Sequence, residues 1–111
     1  MEKEQQSLCR RYGANFTPPE ETYKVGISDS ALRGELPLHG LRHPPESETT
    51  GWFIWAGEWS DAPDFFKPLH FYHLVEDCRT VVPFLALPPG WRFMVAPGHE
   101  DVWSDSDLLN S

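Results

Sequence analysis

Gly51-Trp52-Phe53-Ile54-Trp55-Ala56-Gly57-Glu58-Trp59 is the stretch that decides the fold. Three of the five tryptophans fall within it. Successive side chains of an extended chain point to opposite faces. Trp52, Ile54 and Ala56 therefore share one side, and Phe53, Trp55 and Gly57 the other. Both sides are apolar, which predicts a strand covered on each face rather than one washed by water. Glu58, Asp61 and Asp64 follow, with no basic residue before Lys67. An aromatic strand running into an acidic loop reads as the middle of the core, the edge of a binding surface, or both.

Downstream, Ser60 to Pro63 reads as a turn. Residues 69–78 repeat apolar positions at helical intervals through Phe71, Leu74 and Val75, which predicts a helix with Cys78 near its end. The apolar run Val81, Val82, Phe84, Leu85, Leu87 is broken by Pro83. It reads as a short helical turn opened by that proline or as an irregular core segment. Pro88-Pro89-Gly90 is a turn. Trp91, Phe93 and Val95 then alternate with Arg92, Met94 and Ala96 as a half-buried strand does. Pro97-Gly98 leads into a segment carrying Val102 and Trp103, and the two segments read as a hairpin. The tail from Ser104 is acidic and expected to be loose.

Upstream, residues 43–50 have the composition of an exposed loop. Leu36, Leu38 and Leu41 punctuate a stretch interrupted by Pro37 and Gly40, which reads as irregular structure or a weak edge strand. Ser28-Asp29-Ser30 can cap one helical turn through Leu32. Tyr23, Val25 and Ile27 share one face of a strand over residues 22–28. Thr17-Pro18-Pro19 cannot continue a helix. Residues 2–12 favour helix, with Leu8, Cys9 and Tyr12 forming a narrow apolar stripe and Gly13 a stop. The expected architecture is α+β: a small, mostly antiparallel sheet with one or two helices packed on it. The whole of residues 1–111 is expected to form a single domain, with residues 1–14 an N-terminal helix.

Composition narrows the function classes. An aromatic share of 14% lets a chain of 111 residues bury a core, while eleven prolines and eight glycines disfavour long helices. A formal charge of −8 excludes nucleic acid and an anionic membrane as direct ligands, because both need clustered Lys and Arg. It suits a basic protein partner. The N-terminus is charged and lacks the apolar core of a signal peptide, so a cytoplasmic location is expected, with Cys9 and Cys78 as buried, reduced thiols.

Chemistry is sparse. His70 and His73 are three apart, but a structural zinc wants four ligands and a catalytic one usually three, so no metal is assigned. Glu58 with Asp61 or Asp64 has the make-up of an acid–base pair, and nearby tryptophans can stack on sugars. Acidic residues after a strand are also ordinary loop solvation. Cys78 sits in Glu76-Asp77-Cys78-Arg79, and the neighbouring acids oppose thiolate formation. There is no serine elbow and no phosphate-cradling glycine loop. We therefore assign no catalytic residue and no cofactor. Trp52 and Trp91 each follow a turn glycine and open an apolar strand, so they read as core. Trp59 and Trp103 stand among acids, the setting of interface anchors for a basic partner.

These motifs carry a resemblance. Gly51-Trp52, Gly57-Glu58, Asp61 and Asp64, then Pro83-Phe84-Leu85, Leu87-Pro88-Pro89-Gly90, Trp91-Arg92-Phe93 and Trp103 resemble the signature of the bacterial immunity protein 33 family, over residues 48–105. In this chain Trp59, Ala62 and Phe65 thin the acidic run that follows the first strand. The resemblance implies a small α+β domain that binds and neutralises a cognate protein toxin without enzymatic activity of its own. If the toxin has a basic cleft, as a nuclease does, the expected contacts are Glu58, Asp61, Asp64, Glu100 and Asp101, with Trp59 and Trp103 as anchors. The alternatives are a carbohydrate-binding or glycan-processing domain that uses exposed tryptophans, and an adaptor with no toxin partner.

Overall fold

A computed structural model of the chain describes residues 1–110. The elements, in order, are α1 (Glu2–Tyr12), β1 (Lys24–Ile27), α2 (Asp29–Leu32), β2 (Leu38–Arg42), β3 (Thr49–Ala56), β4 (Lys67–His70), α3 (Phe71–Asp77), β5 (Trp91–Ala96) and β6 (His99–Ser104). Short 3-10 segments occupy Arg79–Phe84 and Ser106–Asn110. The strands form one six-stranded sheet in the order β4-β1-β3-β2-β5-β6. Neighbours are antiparallel except β1 and β3, which run parallel. The α+β class and the mostly antiparallel sheet expected from the sequence are observed, and the small sheet with one or two helices roughly fits, with six strands and further short helical pieces.

β3 is covered on both sides, as its two apolar faces require. On one side Trp52 and Ile54 are fully buried with Val25, Ile27, Leu38 and Phe93 beneath Leu8 and Cys9 of α1, Phe71 and Leu74 of α3, and Val81 to Leu87. The Trp52 indole N–H donates to the Leu85 carbonyl at 3.0 Å, so the ring loses no hydrogen bond on burial. The other face is covered over β3 by Phe65 and Phe66 from the β3–β4 loop and by Leu108 from the last 3-10 segment. Residues 105–110 are therefore tied down rather than loose, because Leu108 is buried against Leu41 and Trp55; Ser111, the end of that tail, lies outside the described residues.

Two other expectations need correction. Leu38–Arg42 is an interior strand paired on both sides, with β3 and with β5, not an edge or irregular segment. The glycine that weakens its sequence pattern admits a neighbour. A Cβ on Gly40 would lie 2.1 Å from the Phe93 ring, which stacks on Phe84 and tilts against Trp52. Leu69 and His70 belong to β4, and the helix begins at Phe71. Tertiary pairing with β1 overrides the helical spacing there: Leu69 lies opposite Val25 and His70 opposite Lys24. Thr49 and Thr50, read as loop, begin β3.

α1 ends at Gly13, as expected, and is fastened at both ends. Gln5 donates to the Val82 carbonyl at 3.0 Å, and the Tyr12 hydroxyl donates to Glu100 at 2.5 Å. Cys9 and Cys78 are both buried free thiols, pushed up from the ordinary thiol range chiefly by burial. Among the described residues no helix is long and apolar enough to cross a membrane.

Candidate functional site

The register places a mixed surface on the sheet face opposite the helices. Directly paired residues on neighbouring strands share a face. Trp55 pairs with His39, His39 with Met94, and Met94 with Asp101. One row of side chains thus crosses four strands. A second row runs Phe53, Leu41, Arg92, Trp103. From Trp55 to Asp101 is three strand spacings, about 14 Å.

At the β3 end of the rows the loop after Ala56 folds back as an aromatic lid. Trp59 meets Trp55 edge-on at 5.0 Å and Phe66 at 5.3 Å. Phe66 also meets Phe53 at 5.2 Å and Phe65 at 4.9 Å. Trp55 is 6% exposed and Trp59 51% exposed, so the inner ring is core and the outer ring is surface. The Trp59 indole N–H donates to the Asp61 carboxylate at 2.9 Å, which holds one acid beside the exposed ring. Glu58 and Asp64 are exposed in the same loop.

At the β6 end the Arg92 guanidinium lies over the Trp103 ring at 5.7 Å and pairs with Asp105 at 3.2 Å. Trp103 is 42% exposed. Asp101 is exposed and lies 3.0 Å from the His99 imidazole. Trp59, Asp61, Glu58 and Asp64 are thus gathered on one loop, and Asp101 and Trp103 on one strand face. Glu100 is separated from them. The strand alternation turns it to the helical side, where Tyr12 and Arg11 hold it, the latter at 3.6 Å. The sequence suggested that neighbouring acids act together; strand geometry splits them.

His39, Met94 and Arg92 bridge the two ends and were not among the residues expected to contact a partner. The alternation Leu38-His39-Gly40-Leu41 holds the signal, but only if residues 38–42 are known to be a strand. His39 stacks on Trp55 at 5.1 Å. Burial first, and then the positive charge of Arg92, hold its imidazole below the ordinary range. The sign follows from proton linkage. With the folded pKa depressed, the unfolded chain takes up the proton first. His39 therefore costs no stability well above pH 6.5 and erodes it as pH falls below about 6.5, until the folded form protonates too. His39→Gln should flatten the fall of stability as pH drops below about 6.5, measured by urea titration at each pH. Equal slopes for both proteins would refute this assignment.

His70 and His73 have ring centres 6.2 Å apart, and His70 stacks on Tyr72. Among the described residues no group of three or more His, Cys, Asp or Glu is placed to hold a metal. What the face offers is a polar and aromatic platform: two partly exposed tryptophans, a methionine, an arginine and a histidine between acidic ends.

No curated protein and no solved structure matches the chain. A family model described as the Imm33-like domain matches residues 4–105. The match starts well upstream of residue 48 and takes in β1 and β2 as well as the aromatic strand. With nearly its whole length matched, the chain belongs to the Imm33-like domain family.

Proposed function

We propose that this is a non-enzymatic immunity-type protein, acting in the cytoplasm, which binds a cognate bacterial toxin and neutralises it by stoichiometric capture. The observation that carries the reading is the continuous row Trp55–His39–Met94–Asp101 between the Trp59–Asp61 pair and Trp103, in a chain of an immunity-domain family. Trp, Met and Arg are the residues enriched at protein interfaces, and an acidic border favours a basic partner such as a nuclease cleft. The reading gives Glu58, Asp61, Asp64 and Asp101 the electrostatic role, and Trp59 and Trp103 the role of anchors. Glu100 acts through α1, since its carboxylate is already engaged by Tyr12.

A glycan-binding reading wants rings that floor a concave groove. Trp55 is buried edge-on to Trp59, and Trp103 lies across the sheet from both, which favours a protein surface as partner. The test is co-expression with the toxin domain encoded by a neighbouring gene, scoring growth rescue and co-purification. Asp61→Lys and Asp101→Lys should each weaken the complex about tenfold and flatten its salt dependence. Neither position is buried, so folding should be preserved. Unchanged affinity and salt response in both variants would exclude the acidic face as the toxin-binding surface.

A further inference from the structure

Six strands in an open sheet leave two edges, β4 and β6. The β4 edge is blunted. It is four residues long, contains Pro68, which has no N–H to offer, and leads straight into α3. The β6 edge is different. It is six residues long, free of proline, and exposed at His99, Asp101, Trp103 and Ser104. Among the described residues its backbone hydrogen-bonds only to β5. In an antiparallel pair every second residue turns its N–H and C=O away from its partner, so β6 presents a row of unpaired donors and acceptors.

An open edge of this kind invites any strand, including a second copy, unless something selects. The selection is in the charges. From residue 99 onward the chain carries Glu100, Asp101, Asp105 and Asp107 with no Lys or Arg. Two copies meeting edge to edge would bring these acids together, and like charges opposite one another destabilise a strand pair. A strand bearing Lys or Arg opposite Asp101 meets the reverse situation. Trp103 beside Asp101 on the same face adds a ring for an apolar or cationic neighbour. On the helical face Val102 is half-buried among the core residues, and an apolar side chain opposite it would extend that cluster.

We propose that β6 is a strand-addition site that captures an extended, basic segment of the toxin, side chains alternating between cationic and apolar, as a seventh strand of the sheet. The inference rests on the toxin-binding reading above and specifies its mode: backbone pairing supplies affinity, and the acids decide which strand is accepted.

Hydrogen exchange tests it in two arms. In the first, the intact chain is mixed with a short peptide alternating Lys and Val, and with a counterpart alternating Glu and Val. The Lys peptide should slow the outward β6 amides at least about threefold, leave β4 unchanged, and lose its effect in high salt. The Glu peptide should do nothing. No β6 protection by the Lys peptide, equal protection by both peptides, or dimerisation of the chain through β6 would overturn the proposal. In the second arm the neighbouring toxin domain is the probe. Toxin binding with β6 unprotected would overturn the strand-addition site and leave the toxin-binding reading standing. No toxin binding, with peptide protection intact, would sink the toxin reading and leave the strand site. Asp101→Lys should abolish the preference for the Lys peptide, and its unchanged exchange elsewhere would show that the variant folds.

Discussion

Gly51→Ala should destabilise the fold by about 4 kcal/mol, and the melting temperature should fall by about 15 °C or more. Gly51 has φ +88, a conformation side chains resist. An added Cβ would also lie 1.9 Å from the His43 carbonyl oxygen. That oxygen is backbone and cannot swing aside. His43 N–H donates to the Gly51 carbonyl at 2.8 Å, so making room for the methyl breaks the start of the β2–β3 ladder. The site is also where β3 slips register against β1: Lys24 lies opposite Thr49, but Gly26 lies opposite Phe53. Thr50 fills the irregularity, donating to the Lys24 carbonyl and accepting from Trp52 N–H, both at 3.1 Å. Gly34→Ala is the control. It has φ +80 with open space around it, so it reports the conformational cost alone, about 1 kcal/mol. Equal, small losses for both variants would show that β2 and β3 yield at this point and that the close approach is unimportant.

Arg42→Met should cost about 3–5 kcal/mol, although it swaps a charge for an apolar side chain of similar length. Arg42 is 2% exposed and, among the described residues, has no carboxylate partner. Burial alone lowers its pKa to about 10, so it remains charged at neutral pH. Its guanidinium is satisfied by backbone carbonyls: Thr50 at 2.9 Å, Thr17 at 2.7 Å and Leu87 at 2.8 Å. It also lies over Trp52 at 5.7 Å. One side chain thus pins three remote segments: the stretch after α1, the head of β3 and the run before β5. Methionine leaves those carbonyls without this donor in a place with little water. Lysine keeps the charge, but its single nitrogen cannot reproduce the fork, so Arg42→Lys should recover only part of the loss. Denaturant melts check the magnitude, and limited proteolysis near residues 15–19 checks the mechanism, since losing the bond to Thr17 should free that segment. An Arg42→Met melt within 1 kcal/mol of the parent would mean that the carbonyls find other donors.

Much of the fold was legible in residues 51–57 and 91–104. Two apolar faces on one strand required cover on both sides, and strict alternation before Pro97-Gly98 specified the hairpin. The capped turn at Ser28 was legible for the same reason: the hydroxyl accepts from Ala31 N–H at 3.2 Å, a contact three residues away. β2 was not legible. Its glycine and the preceding proline argue locally against a strand, and what overrides them is the Phe93 ring and two pairing neighbours far off in sequence. The same distance explains Leu69 and His70, drawn into β4 by β1, and Leu108, held by Trp55 and Leu41.

The candidate surface divides along the same line. That Trp59 and Trp103 stand among acids, and that the chain is acidic overall, is written in the residues themselves. Whether those acids act together is not. Asp61 reaches Trp59 within one loop, a local contact, whereas Glu100 and Asp101 are neighbours that a strand's two-residue period sends to opposite faces. His39 stands between Trp55 and Met94, joining the aromatic end to the β5–β6 hairpin, only because β2 lies between β3 and β5. Local alternation and turn chemistry act over a few residues and can be read directly. Strand order, and with it the make-up of the face and the openness of the β6 edge, depends on pairings between residues tens of positions apart, which only the folded chain selects.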